Sequence, residues 1–305
     1  MNTLTIDGLT KKFGTRTILD RISLTVPKHS IFGFLGQNGA GKTTTMKLIL
    51  GLLKADEGQI EILGEKVSYG QTRTNRLVGY LPDVPEFYGY MRPAEYLKLC
   101  GKIAGLSKEE MLLRTDELLH LVGLSDVKGK ISSFSRGMKQ RLGVAQALLG
   151  KPKLLICDEP TSALDPVGRR ELLDILSQVR GQTTVLFSTH ILSDAEQICD
   201  RIAILHHGRL ALCGELDKIK AEKAQNALFL SFSSPSQVSE LASSPYLLPY
   251  WDQIEVQGSS ITIRGPRIHE LEKAVLSALY GKSLFPFKME IQKPTLESIF
   301  MEVVQ

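Results

Sequence analysis

The chain has 305 residues, 43% apolar and 23% charged, with a formal net charge of +4. Its length exceeds one ordinary core of ~100–200 residues, so two domains are predicted, and the apolar fraction excludes general disorder. So mild a charge gives no argument for a nucleic-acid partner, and no run reaches the ~18–20 apolar residues of a membrane helix. The opening MNTLTIDGLTKKFG lacks the basic-then-apolar run of a secretory signal. Cys100, Cys157, Cys199 and Cys213 have no CxxC spacing and read as reduced thiols of a cytosolic protein.

In chain order, TLTIDGLTKKFG and DRISLTVPKHS alternate as half-buried strands do, and Phe13 lies near the end of the first. The nearly continuous apolar run IFGFLG predicts a strand covered on both faces. It leads into Gly36-Gln37-Asn38-Gly39-Ala40-Gly41-Lys42-Thr43, with Thr44 next, which fits G-x-x-x-x-G-K-[ST] at every fixed position. Glycines there let backbone N–H groups curl around phosphate oxygens, while the next helix, TTTMKLILGLL, turns its positive dipole end toward them. Lys42 can reach the terminal phosphates, and the Thr43 hydroxyl can ligate Mg²⁺.

VGYLPD ends on Asp83, and PEFYGYMRPAEYLKLCGKIAG after it opens a helical region. Its Phe87, Tyr88 and Tyr90 read equally as an exposed patch or as core. Phe134-Ser135-Arg136-Gly137-Met138-Lys139-Gln140-Arg141 enters a helix and, alone, reads as an ordinary capped start. LLICDEP predicts a buried parallel strand ending in Asp158 and Glu159, placed to hold Mg²⁺ through water and to polarise an attacking water. Asp165 in SALD and His190 in LFSTH, taken singly, read as a capping aspartate and a packing or surface histidine.

GQNGAGKT, FSRGMKQR, LLICDEP, SALD and STH, in this order and spacing, resemble the nucleotide-binding subunit of ATP-binding cassette transporters over residues 1 to about 220. The resemblance implies an α/β P-loop NTPase cassette, a RecA-like core with a helical subdomain at about 84–145. It implies an ATPase that binds ATP and Mg²⁺, dimerises head to tail and works with a polytopic membrane permease at the cytoplasmic face of the membrane. ATP would lie between the phosphate loop of one copy and the Ser135–Gly137 segment of the other. His190, 31 residues after Glu159, would bond the γ-phosphate. Asp165 would sit in the segment crossing the dimer interface, and Phe13 falls where the family stacks an aromatic on adenine, although a strand-end Phe also reads as core.

The segment departs from LSGGQ at Phe134, Arg136 and Met138, while its serine and second glycine are present. Asp83 stands where the family usually has a glutamine that senses Mg²⁺, water and the membrane subunit. A carboxylate there could bind the metal through water but could not donate a hydrogen bond.

Residues 1–220 carry 30 basic and 24 acidic residues, and 221–305 carry 7 and 9. A boundary is predicted near Ala221, after the helix-like GELDKIKAEKAQ. ALFLSFS, SPSQVSELASS, WDQIEVQG with SSITIRG, HELEKAVLSALYG and LFPFKMEIQ then take the order β, α, β, β, α, β of a ferredoxin-like unit. The closing PTLESIFMEV is similar to the tail of cassette subunits from exporters with a separate membrane protein, including those of antibiotic and bacteriocin resistance; a plain packing module is the other reading. The expectation for the whole is an export ATPase. The alternative is a soluble cassette ATPase acting on ribosomes or DNA, which usually has two cassettes or a long coiled-coil insertion; no sustained heptad run is present here. A dead cassette conflicts with Lys42, Asp158, Glu159 and His190 together.

Overall fold

The alternating N-terminal runs pair as an antiparallel hairpin, β1 (Asn2–Phe13) and β2 (Arg16–Pro27), and the apolar run after them is β3 (Ile31–Leu35), buried at every position. These assignments come from a computed structural model that describes residues 2–71, 73–222, 226–265, 267–292 and 295–304. The Lys223–Gln225 end of the helix predicted at the domain boundary, and Pro294 of the closing helix, lie outside the described residues. Two compact units divide the chain, one running to Leu216 and the other over Asp217–Glu302.

The first unit continues with α1 (Lys42–Ile49), β4 (Glu57–Ile62), β5 (Glu65–Lys66) and β6 (Val78–Leu81). Helices α2 (Pro93–Ile103), α3 (Lys108–Leu121) and α4 (Arg136–Leu148) come next, then β7 (Leu154–Asp158), α5 (Pro166–Val179), β8 (Thr184–Thr189), α6 (Leu192–Ile198), β9 (Arg201–His206) and β10 (Arg209–Glu215). Strands β7 and β8 are, like β3, buried throughout. Runs without polar alternation belong in a parallel sheet covered on both faces. Such a sheet forms in the order β10-β9-β3-β8-β7-β6, parallel except for the edge pair β9–β10. A second, antiparallel sheet runs β2-β1-β4-β5. Their shared core takes Leu4 and Ile6 from β1, Phe32 and Phe34 from β3, Met46 and Ile49 from α1, and Ile156 from β7. The alternation of β1 is explained by this arrangement, since only one of its faces meets that core.

Beyond α7 (Leu216–Glu222), the second unit holds β11 (Asn226–Ser231), α8 (Pro235–Ala242), β12 (Ile254–Gln257), β13 (Ser260–Gly265), α9 (Ile268–Gly281) and β14 (Lys288–Gln292); α10 (Leu296–Val304) comes last. Its antiparallel sheet has the order β12-β13-β11-β14, as expected of a split β-α-β unit. Leu228, Leu230, Ile261 and Ile263 bury one sheet face with Leu271, Val275 and Ala278 of α9. Two strands are shorter than the sequence predicts. Trp251–Gln253 end a 3-10 stretch over Pro245–Gln253, where Pro245 and Pro249 lack ladder donors. Leu284–Phe287 precede β14, with Pro286 among them, for the same reason.

Candidate functional site

Strands β3, β8 and β7 are neighbours and parallel, so their C-terminal ends open at one edge of the sheet. Each delivers one of the residue groups singled out in the sequence. After β3 the chain turns through Gly36–Gly41. A Cβ on Gly36 would stand 2.6 Å from the carbonyl oxygen of Leu205 at the end of β9, so only glycine fits there. Gly41 has φ 114°, and its Cβ would meet Leu19 Cδ2 at 2.7 Å, so conformation and space both require glycine. Gly41 is the N-cap of α1 and no side chain caps that helix. The N–H groups of its first turn are therefore free for an anion, where the helix dipole is also favourable. Gln37, Asn38, Gly39 and Ala40 line a cleft of about 360 Å³ beside this loop, with Arg16, Ile18 and His206 opposite.

Lys42, the first residue of α1, is buried, with Nζ 2.6 Å from the Gly36 carbonyl and 3.3 Å from that of Gln37. It also lies 3.0 Å from Glu159 Oε1. A buried ammonium must be paired, and this one is held by the loop that surrounds it and by the acid that ends the strand two places away. Glu159 comes just after β7 in the left-handed region, with φ 50°, a conformation that costs a non-glycine residue on the order of 1–3 kcal/mol and clusters at functional sites. The turn aims its second oxygen, Oε2, at His190 Nδ1, 2.7 Å away. His190 comes just after β8, and its backbone N–H also reaches Oε2 at 3.3 Å. The carboxylate is thus fixed between a cation and an imidazole.

Asp158, beside it, is buried, and its Oδ1 has no hydrogen-bond partner among the described residues. Burial pushes its carboxyl up from the usual range, against the pull of the Thr43 and Ser188 hydroxyls and, more weakly, of Lys42. An orphaned buried carboxylate oxygen next to the Thr43 hydroxyl fits one side of a divalent-cation site. Among the described residues no group of three or more His, Cys, Asp or Glu side chains could hold a metal. A Mg²⁺ ion would therefore complete its shell with phosphate oxygens and water, as this ion does at phosphoryl-transfer sites.

The remaining candidates make other contacts, and Asp83 is linked to the cluster through Ser162, whose N–H bonds the Glu159 carbonyl. Asp83 Oδ1 accepts from the Ser162 hydroxyl at 2.5 Å and pairs with Arg136 at 3.6 Å, while Gln140 Nε2 donates to the Asp83 carbonyl. Its described partners are thus protein groups. Ser135 caps α4, accepting from Met138 N at 3.2 Å, and Asp165 caps α5, accepting from Gly168 N at 3.0 Å. Gly137 sits in the first turn of α4, and among the described residues nothing beyond its own helix lies within 4 Å of the place its Cβ would occupy. Phe13 is 51% exposed, so it is no core residue; Lys11 Nζ lies 5.2 Å from its ring centre. Phe87 packs edge-on against Tyr96, while Tyr88 and Tyr90 stay exposed.

Residues 19–162 match the ABC transporter family model. The ABC transporter ATP-binding protein YxlF of Bacillus subtilis (strain 168) is 39% identical over 302 residues, 99% of each chain. This chain belongs to the ABC transporter ATP-binding family. The bacitracin transport ATP-binding protein BcrA of Bacillus licheniformis is 41% identical over 234 residues, 75% of this chain and 74% of its own. Among solved structures, an ATP-binding subunit of an ABC transporter is 34% identical, with a TM-score of 0.65 over 72% of this chain and 92% of its own. CbiO1 from Clostridium perfringens, part of the ABC transporter complex cbiONQ, is 25% identical with a TM-score of 0.68 over 73% and 92%.

As an ABC ATPase the protein binds ATP. Two residues at the Asp83 corner, Ser162 and Gln140, carry no site signal of their own in the sequence, and Arg136 stands out there only as a departure from the family pattern. A joint signal is nevertheless present: Asp83 and Arg136 both depart from that pattern and carry opposite charges.

Proposed function

We propose that this ABC ATPase powers export through a separate polytopic permease at the cytoplasmic face of the membrane, with ATP held between two cassettes. The observation that carries the chemistry is the Lys42–Glu159–His190 cluster at the ends of three parallel strands. In the proposed mechanism Lys42 and the first-turn N–H groups of α1 hold the phosphates. Glu159 Oε2, positioned by His190, orients a water and takes its proton as the water oxygen attacks the γ-phosphorus; the bond to the bridging oxygen breaks and ADP leaves. Mg²⁺, when bound by Thr43 and Asp158, would neutralise charge on the phosphates. Phe13 is assigned to the adenine.

The composite site has its own support. A glycine inside a helix costs about 1 kcal/mol relative to alanine, and among the described residues nothing beyond its own helix approaches Gly137 closely enough to require one. Space left at an exposed helix start suits a phosphate brought by a second copy, with Ser135 beside it and Asp165 at the crossing. Export is supported by similarity to BcrA, a protein named for bacitracin transport. A cleft of about 520 Å³ lined by Asp83, Pro85, Phe87, Ile131, Arg136 and Lys139, near the exposed Tyr88 and Tyr90, is the surface proposed for the permease. No helix among the described residues is long and apolar enough to cross a membrane.

The test has two arms. Turnover per subunit should rise with protein concentration, and Ser135→Arg should keep ATP binding while losing most of that turnover; concentration-independent hydrolysis by a monomer removes the composite site. In fractionated cells the chain should accompany the membrane, and sedimentation with ribosomes or DNA would replace the permease reading.

Asp83 enters the proposal as a metal-sensing carboxylate, and its bonds to Ser162 and Arg136 supply the competing role of tying its loop to Ser162 and to the start of α4. Asp83→Asn removes the charge at nearly constant shape. A metal sensor then requires more free Mg²⁺ for half-maximal ATPase activity, because an oxygen ligand's charge is lost. Superimposable Mg²⁺ curves for wild type and variant would leave Asp83 with its loop-tying role alone.

A further inference from the structure

Strand β14 is the outermost strand of the second unit's sheet, paired among the described residues with β11 alone, and all five of its residues are exposed. The run Phe287-Lys288-Met289-Glu290-Ile291 alternates apolar and charged residues. Register pairs Met289 with Leu230 and Ile291 with Leu228, which places both on the face where those leucines are buried. Phe287 comes just before the strand, and its N–H bonds the Ser231 carbonyl. The core face of the sheet therefore continues past its cover, leaving Met289 36% and Ile291 44% exposed, with Phe287 80% exposed just before them. Leu276 and Tyr280, one turn apart on α9, are exposed as well.

Natural edge strands are usually blunted by lysines, prolines or bulges. Here Lys288 and Glu290 carry opposite charges symmetrically about Met289, and they pair with each other along the strand. We propose that this edge joins the β14 edge of a second copy of the chain, antiparallel and centred on Met289, making one sheet of eight strands. In that register Lys288 faces Glu290 of the second copy, Glu290 faces its Lys288, and Met289 meets Met289 on the apolar face. The alternatives are worse by the same count. Centring on Lys288 sets lysine against lysine, and centring on Glu290 sets glutamate against glutamate. A half-step shift puts apolar residues opposite charged ones, and an in-register parallel pair again opposes like charges. Charge complementarity thus selects both the partner and the register. An edge this short is a small interface, so contact between copies is transient and needs a trap to be seen.

The trap is oxidation of full-length Met289→Cys without nucleotide, compared with the wild type and its native cysteines. Directly opposed Cβ atoms lie ~4.5–5.5 Å apart, close to disulfide reach, whereas two copies of residue 288 are diagonal neighbours at ~7–8 Å. Covalent dimer should form well above the wild-type level in Met289→Cys and stay at that level in Lys288→Cys. Adding Lys288→Glu to Met289→Cys should cut the yield several-fold, and adding Glu290→Lys as well should restore it, which also shows that the charge-reversed strand still folds. Dimer at the wild-type level in Met289→Cys, a yield indifferent to charge reversal, or cross-linking only to another protein in permease-containing membranes would each overturn the proposal.

Discussion

Glu159→Gln is expected to lower ATP turnover by about 10²–10⁴-fold, the usual contribution of a general base, while ATP binding is kept. The substitution changes charge and basicity but almost no shape. Glutamine can still accept from the His190 backbone N–H through one oxygen, so the turn after β7 has no steric reason to move. The group that disappears is the carboxylate that takes the proton of the attacking water. The sign for binding is set by the same geometry. Glu159 Oε1 stands 3.0 Å from Lys42 Nζ and competes with phosphate for that cation. At an effective dielectric of ~20 the attraction at this separation is on the order of 5 kcal/mol before screening. Removing it should leave ATP affinity equal or higher, and a non-hydrolysed ATP should hold two copies together. Single-turnover hydrolysis and equilibrium ATP binding measured on the same preparation check both halves. Hydrolysis within a few fold of wild type would take the base role away from Glu159.

The parts of this site legible in the sequence are those fixed by local pattern. LLICD and IFGFL lack polar alternation, which points to buried parallel strands, and a parallel sheet gathers the residues just past its strand ends at one edge. That logic brings Lys42, Glu159 and His190 together although they follow three different strands. The illegible parts depend on how loops meet. Glu159 takes φ 50° because the chain must turn sharply after β7, and no residue pattern announces a left-handed glutamate. The Asp83–Ser162–Arg136 corner joins three segments far apart in sequence, so the meeting of these residues is not announced by any one of them. In the second unit, periodicity located β13, but Pro249 and Pro286 trimmed the runs around β12 and β14 in ways that apolar alternation does not reveal. The self-complementary charges of β14 are plain in the sequence; they acquire meaning only once β14 is known to be an edge.

Lys42→Ala is expected to fail earlier than Glu159→Gln, at ATP binding itself. Truncating one partner of a buried, hydrogen-bonded charge pair costs about 2–5 kcal/mol, which is roughly 30-fold to over 1,000-fold in affinity when the lost partner is the phosphate's cation. The same change exposes a conflict that the lysine suppresses. Glu159 loses its cation, and Asp158 next to it, already pushed up by burial and by the Glu159 charge, loses the Lys42 pull in the other direction. A carboxyl whose folded pKa lies above its unfolded value destabilises the fold when ionised, and that penalty fades as pH falls through the folded pKa. The variant, with the larger upward push on Asp158, should therefore be less stable than wild type near neutral pH, and the gap should narrow as pH falls and Asp158 takes up a proton. Thermal melts across that range, run beside ATP titrations, measure the two effects separately. An unchanged gap together with ATP affinity within a few fold of wild type would mean that Lys42 neither balances these acids nor holds the phosphates.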